Sequence, residues 1–199
     1  MALDLVAALL PLACPGCGAA AEPICPRCAF GLRPAPSAPA PVGVDAWYAA
    51  FAYEGVAREL VARVKYRGAH AVVGWLAAAM APLVPPPLPD VVTWAPTTPA
   101  RRRERGFDHA ELLARAVGRV AHRRPRHLLT RAPGRPQTGQ PVAARRVGPA
   151  FAPRGRAPAA VLLVDDVATT GATIAAAAAV LRDGGAERIV ALTAARTPP

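Results

Sequence analysis

The stretch VLLVDDVATTGATIAAAAAVLRDGG, residues 161–185, constrains the fold more than any other part of the chain. Its apolar start predicts a strand over AVLLVDD, followed by a turn over 168–173. The alanine-rich remainder predicts a helix ended by Gly184 and Gly185. RIVALTAAR, 188–196, reads as the next strand. The same alternation runs upstream. DAWYAAFAY at 45–53 and DVVTWAP at 90–96 read as strands, and GVARELVARVKYRG at 55–68 as a helix with Val56, Leu60, Val61 and Val64 on one face. HAVVGWLAAAMA is a second helix, stopping at the prolines of 82–89. TTPARRRERGF reads as a loop, and DHAELLARAVGRVA as a helix with Asp108 and Glu111 spaced as a capping box. HLLTR reads as a short strand. Repeated strand and helix predict an α/β fold whose mostly parallel sheet is flanked by helices and binds ligands at the strands' carboxyl ends.

Charge narrows the partners. The chain of 199 residues carries 24 Lys plus Arg against 13 Asp plus Glu, a net charge of +11, so its surface attracts phosphates, nucleic acid or other polyanions. Lys65 is the only lysine; the other basic residues are arginines in a chain rich in Ala, Pro, Gly and Val. No run of about 18 apolar residues lacks charge, so no membrane span is expected. The start, MALDLVAALLPLAC, has Asp4 where an export signal wants basic residues. It reads instead as a short amphipathic helix with Leu5, Leu9 and Leu10 on one side, and the expected location is cytoplasmic.

All four cysteines lie in CPGCGAAAEPICPRC, as two C-x-x-C knuckles separated by seven residues. Each knuckle aims two thiolates at one point, and four thiolates complete a closed tetrahedral shell for structural zinc. Cys14, Cys17, Cys25 and Cys28 are the expected ligands, in a compact ribbon-like module over residues 1–32. A pair of disulfides is the competing reading and needs an oxidising compartment. RPAPSAPAPVG follows as a Pro-rich linker, 33–44, before the main domain at 45–199.

In LLVDDVATTGAT an apolar run delivers Asp165 and Asp166 to a strand's carboxyl end. The small residues after them let backbone N–H groups converge on an anion at a helix N-terminus, with hydroxyls from Thr169, Thr170 and Thr173. Carboxylates beside a phosphate repel it unless they hold something else, and a sugar's vicinal hydroxyls supply the donors. The pattern therefore predicts a ribose 5-phosphate site. A Walker-type magnesium strand would require G-x-x-x-x-G-K-[ST] elsewhere, and a dinucleotide site G-x-G-x-x-G; neither occurs.

VLLVDDVATTGAT resembles the phosphoribosyl pyrophosphate (PRPP) signature of type I phosphoribosyltransferases. Together with RRRERGFDHAELLARAV, RPQTGQPVAARRVGPAF and the four-cysteine module, it makes nearly the whole chain similar to the ComF family of competence-associated proteins. The resemblance implies a type I phosphoribosyltransferase-like fold, with Asp165 and Asp166 on the ribose diol. It also implies Ala168, Thr169, Thr170, Gly171 and Thr173 around the 5-phosphate, Mg²⁺ bound with the pyrophosphate, and a setting in DNA uptake. The chain departs from the family pattern at Thr97, Asp108, His109 and Arg146.

Transfer from PRPP passes through a ribose cation as pyrophosphate leaves, so the protein has to position reactants and neutralise charge. Arg101, Arg102, Arg103 and Arg105 are the candidates for that role, with Lys65 as a compact ammonium. The segment 131–146, with Arg131, Arg135, Gln137, Arg145 and Arg146, has the length and chemistry of a lid. The tryptophans Trp47, Trp75 and Trp94 and the histidines His70, His109, His122 and His127 read as core or surface rather than as a base-binding set. Two functions fit: a Mg²⁺-dependent phosphoribosyltransferase, or a non-catalytic PRPP sensor whose zinc module and basic surface contact single-stranded DNA or the DNA-uptake machinery.

Overall fold

The computed structural model describes residues 13–21, 23–64, 70–131 and 149–198. The expected N-terminal helix, Lys65, and the 132–146 part of the expected lid lie outside these residues.

The elements are α1 (Pro26–Phe30), β1 (Ala46–Ala52), α2 (Gly55–Val64), α3 (His70–Met80), β2 (Val91–Trp94), α4 (Pro99–Arg105) and α5 (His109–Val120). They continue with β3 (Arg124–Pro125), β4 (Leu129–Arg131), β5 (Phe151–Pro153), β6 (Ala160–Ala168), α6 (Ala172–Asp183) and β7 (Arg188–Arg196). Five strands form one sheet in the order β1-β7-β6-β2-β3, and every adjacent pair is parallel. β4 and β5 make a separate antiparallel pair. The α/β fold with a parallel sheet flanked by helices is thus as expected.

Strand residues alternate between the two faces, and both faces are apolar because both are covered. Val92, Trp94, Leu162, Val164, Val190 and Leu192 pack with Leu60, Leu76, Leu113 and Val117 of α2, α3 and α5. Val161, Leu163, Ile189 and Ala191 pack with Ile174, Ala177 and Leu181 of α6 and with Leu128 and Leu129 beside the β4–β5 pair. The chain leaves β2 through α5 toward β3 on one side of the sheet, and leaves β6 through α6 toward β7 on the other. β2 and β6 are neighbours, so their carboxyl ends border a topological switch point, where open α/β sheets leave a crevice.

Three local features differ from the sequence reading. Residues 99–105 are helical rather than loop. Thr98 caps α4 by accepting the Arg101 N–H at 3.3 Å, Pro99 opens it with a preset φ, and Gly106 closes it at φ 81°. β6 runs on through Ala168, so Asp165 and Asp166 sit inside the paired strand and the turn is confined to 169–171. The capping box on α5 is one-sided. Asp108 caps it, but Glu111 turns to Arg115, whose Nε and Nη2 donate to it at 3.0 and 2.8 Å.

The Pro-rich stretch lies against the body rather than free of it. Pro34 bridges Phe51, Ala35 N–H donates to Ala50 O, and Arg182 holds Gly43 O and the Asp45 carboxylate. Pro41 lies over Gly171, close enough that a Cβ there would come 2.8 Å from its Cγ.

Candidate functional site

The carboxyl ends of β2 and β6 border a cleft of about 200 Å³ whose walls are almost wholly polar. Asp165, Asp166 and Val167 form its floor, and Thr173 from the first turn of α6 closes one side. Ala95 and Thr97 come from the segment after β2, Arg101 and Arg105 from α4, His109 from the start of α5, and Arg131 from β4.

The acid pair is buried, with Asp165 7% and Asp166 8% exposed. Asp165 Oδ1 accepts the N–H of Asp166 at 2.9 Å, and Asp166 Oδ1 that of Val167 at 2.8 Å. Burial first, and then the neighbouring Asp166 carboxylate, hold the Asp165 pKa well above the usual carboxylate range; Arg131 offsets only part of this. Like carboxylates side by side divide their roles in this way, one pushed toward its protonated form. Asp165 can then both donate to and accept from a hydroxyl.

Opposite the acids stands a basic wall. On a helix, residues four apart share a face, which is why Arg101 and Arg105 both reach the cleft. Arg102 and Arg103 are exposed on other faces of α4 and do not line it. Arg131 is drawn inward enough that burial, followed by the repulsion of Arg101, lowers its pKa, with Asp165 and Asp108 opposing. Its guanidinium lies 5.7 Å from the centre of the Phe151 ring.

Asp108 ties the wall to the sheet. Its Oδ1 accepts from the N–H groups of Ala110 and Glu111 at 3.0 and 3.4 Å, and its Oδ2 accepts the Thr97 N–H at 2.9 Å. His109 follows, with Nε2 3.2 Å from Asp166 Oδ2 and Nδ1 3.3 Å from Arg105 Nη1. Both side chains are buried, in line with their neighbours' geometry and not with a surface role.

The turn after β6 has the predicted small residues. Gly171 takes φ 74°, a left-handed conformation that favours glycine, and precedes α6. Thr169 and Thr170 are exposed, Ala168 is buried, and Thr170 Oγ1 accepts the Ala172 N–H at 3.4 Å. Thr197, the residue after β7, anchors the turn, its N–H donating to Ala168 O at 3.1 Å and its hydroxyl to Thr169 O at 3.3 Å.

Of the residues expected from sequence, the cleft gathers Asp165, Asp166, Thr173, Arg101 and Arg105. Thr97 and Arg131 line it as well, although the first was seen only as a family departure and the second as part of a lid. His109 was seen only as a family departure and read as core or surface, not as part of a site. Its one sequence signal is its place directly after the helix cap Asp108, at the head of the helix following β2.

The four cysteines form a second cluster at the N-terminal end. Their sulfurs lie within 4.8 Å of one another, and none is in a disulfide. A tetrahedral zinc with Zn–S of about 2.3 Å needs sulfurs about 3.8 Å apart, so the set fits that ion. Ala13 and Ala20 bridge across the first knuckle, while Cys25 caps α1 and Cys28 lies within it. Burial raises the Cys14 thiol, but the N–H groups of Cys25, Gly16 and Cys17 outweigh it and bring the pKa down to about 6. Cys28, buried with thiols around it, is pushed up to about 12. Val56 of α2 packs on the cluster and joins it to the body.

No protein-family model matches the chain, and no curated protein matches it either. Among the described residues, no helix is long and apolar enough to cross a membrane.

Proposed function

We propose that the chain is a PRPP- or ribose 5-phosphate-binding protein of the type I phosphoribosyltransferase kind, similar to the ComF family, with its site in the cleft between β2 and β6. The observation that carries this reading is the pairing of two buried acids with an arginine wall across a small polar crevice at a switch point. The acids suit a ribose diol. The glycine turn and the first turn of α6 offer main-chain amides and the Thr170 and Thr173 hydroxyls to a 5-phosphate. Arg101, Arg105 and Arg131 suit the oxygens of a departing diphosphate, whose charge they would neutralise without forming a covalent bond.

Magnesium takes oxygen donors and is commonly bound by one or two carboxylates together with substrate phosphates. Asp165 and Asp166 are the carboxylates among the described cleft residues, so they fit that donor set, and the ion would supply further neutralisation of diphosphate charge. Zinc at the cysteines has a structural role in this scheme. It would hold the knuckles against α2, more than 25 residues upstream in the chain from the cleft's first wall.

The test is calorimetry with ribose 5-phosphate on the native chain and on the double variant Asp165→Asn, Asp166→Asn, followed by a pyrophosphate-release assay with PRPP, Mg²⁺ and a panel of bases and amines. Saturable binding that the folded double variant loses is expected, and equal affinity in both would refute the site. Release of pyrophosphate identifies a transferase; saturable binding without release identifies a sensor.

One observation favours the DNA-contacting alternative. At the β3 edge of the sheet, Arg115, Arg119, His122, Arg123 and Arg124 line an open groove of about 670 Å³. Single-stranded DNA bound there through its phosphates would dissociate steeply as salt rises, and a flat salt response would exclude it.

A further inference from the structure

We infer that Arg196, a buried guanidinium with no acid beside it at the end of β7, is the counter-charge for a phosphate monoester held at the turn 169–171. The identity of the ligand rests on the proposed sugar-phosphate reading; the unmet charge does not.

Among the described residues Arg196 is the one buried arginine, at 5% exposed. Its guanidinium carbon lies 4.5 Å from the centre of the Trp47 ring, and that ring is itself fixed, its Nε1–H donating to Thr193 Oγ1 at 3.3 Å. A ring face attracts a cation, yet the five N–H donors of a guanidinium point outward in its own plane and still need acceptors. Nε is sealed from solvent without one, and no described residue accepts from Nη1 or Nη2. Burial is the whole cause of the lowered Arg196 pKa, with no carboxylate opposing it. A charge withdrawn from water without a partner destabilises the chain that carries it, so its retention calls for a partner that arrives from outside.

The sheet puts that cation beside the turn. Arg196 registers with Ala168, the last residue of β6, and its neighbour Thr197 bonds Ala168 O and Thr169 O. Trp47 and Ala168 both pack in the cluster that α6 covers, which places the guanidinium on the helix side of the sheet. Beyond Ala168 the N–H groups of Thr169, Thr170 and Gly171 donate to nothing among the described residues. α6 follows with twelve residues, and its amino end adds positive potential. An unpaired cation, free amides and a helix end thus meet at one end of the β6–β7 pair, where each is satisfied by an anion. A phosphate monoester answers best, since near neutral pH it brings close to two negative charges and three acceptor oxygens. Arg196 is not in the wall of the cleft that holds Arg101, Arg105 and Arg131. It therefore serves the phosphate on the β7 side of the turn and leaves those three to the diphosphate.

Methionine is the informative replacement, because it is flexible enough to fill the place against Trp47 and carries no charge. Urea midpoints of the full chain are measured without and with inorganic phosphate at constant ionic strength. Arg63→Met, exposed on α2, controls for the general attraction of a basic chain for anions. Without phosphate, Arg196→Met should unfold at the native urea concentration or above it, since an unpaired buried charge has gone. Phosphate should raise the midpoints of native and Arg63→Met alike. Arg196→Met should need about tenfold more phosphate for the same rise, the loss of one hydrogen bond to a charged group. Arg196→Lys, with the charge kept, should lie between. An Arg196→Met chain that is less stable than native without phosphate, or that fails to fold, makes Arg196 a structural residue and overturns the inference. An equal response to phosphate in native and Arg196→Met, including none in either, overturns it as well. Calorimetry with ribose 5-phosphate separates the two readings. If phosphate binding depends on Arg196 but ribose 5-phosphate binds no more tightly than phosphate, in the native chain and in the Asp165→Asn, Asp166→Asn chain alike, the sugar reading fails and the counter-charge stands. If ribose 5-phosphate binds and Arg196→Met leaves its affinity unchanged, the counter-charge fails and the sugar reading stands.

Discussion

Replacing Asp108 by alanine should loosen the cleft by a calculable amount. The carboxylate is 5% exposed and accepts three backbone N–H groups from two segments. Loss of the two at the head of α5 is the loss of a helix cap, about 1 kcal/mol. The third, from Thr97, is of a different kind. Its N–H would be left in a partly buried place with no acceptor, at about 1–2 kcal/mol. The total is about 2–3 kcal/mol. For a chain of this length that is a fall of roughly 5–10 °C in Tm. Urea unfolding followed by fluorescence of the tryptophans should show the midpoint falling with an unchanged slope. Two further substitutions separate the contributions. Serine retains the cap and loses only the Thr97 contact, so Asp108→Ser should recover about 1 kcal/mol. Asparagine also caps, but turns its amide N–H₂ or its single oxygen toward Thr97 and should fall between native and alanine. A loss below about 0.5 kcal/mol in Asp108→Ala, or equal losses in all three variants, would refute the account of Asp108 as a double tie.

Protein purified under reducing conditions should carry close to one zinc per chain, and Cys28→Ser should lower that content; metal-free native protein by elemental analysis would contradict the cysteine assignment. Because the Asp165 pKa is raised in the folded chain, the folded state binds a proton there that the unfolded state has released. Stability should therefore decline as pH rises above the usual carboxylate range, and Asp165→Asn should flatten that decline in urea midpoints measured from pH 4 to 8; parallel curves would show the burial effect to be misread. Gly171→Ala should destabilise by about 2 kcal/mol, since a Cβ at φ 74° is strained and would meet the Pro41 ring at 2.8 Å; an unchanged urea midpoint would mean that the Pro-rich stretch does not rest on the turn.

How legible the site was in the sequence differs residue by residue. Asp165 and Asp166 were readable because an apolar strand that ends in acids advertises both its burial and its polar terminus. The turn was readable from Gly171 and the threonines. The helical form of 99–105 was available in principle, since Thr98, Pro99 and Gly106 are cap, first-turn and stop signals at the right intervals. Four arginines within five residues hid it by resembling a solvated loop. Only the helix sorts them, turning Arg101 and Arg105 to the cleft and leaving Arg102 and Arg103 outside. His109 was not legible, because its meaning depends on Asp166, fifty-seven positions later in the chain and brought alongside by strand order.

The sequence by itself determined the local elements, the two cysteine knuckles and the chemistry of the β6 turn, since these depend on periodicity, caps and spacing within about twenty residues. Tertiary structure alone decided which strands are neighbours, and therefore that β2 and β6 open a crevice, that α5 carries His109 onto the acids, and that Arg131 arrives from a separate hairpin. The physical reason is that sheet order follows from burying both faces of five strands at once, a sum over the whole core that no local pattern contains.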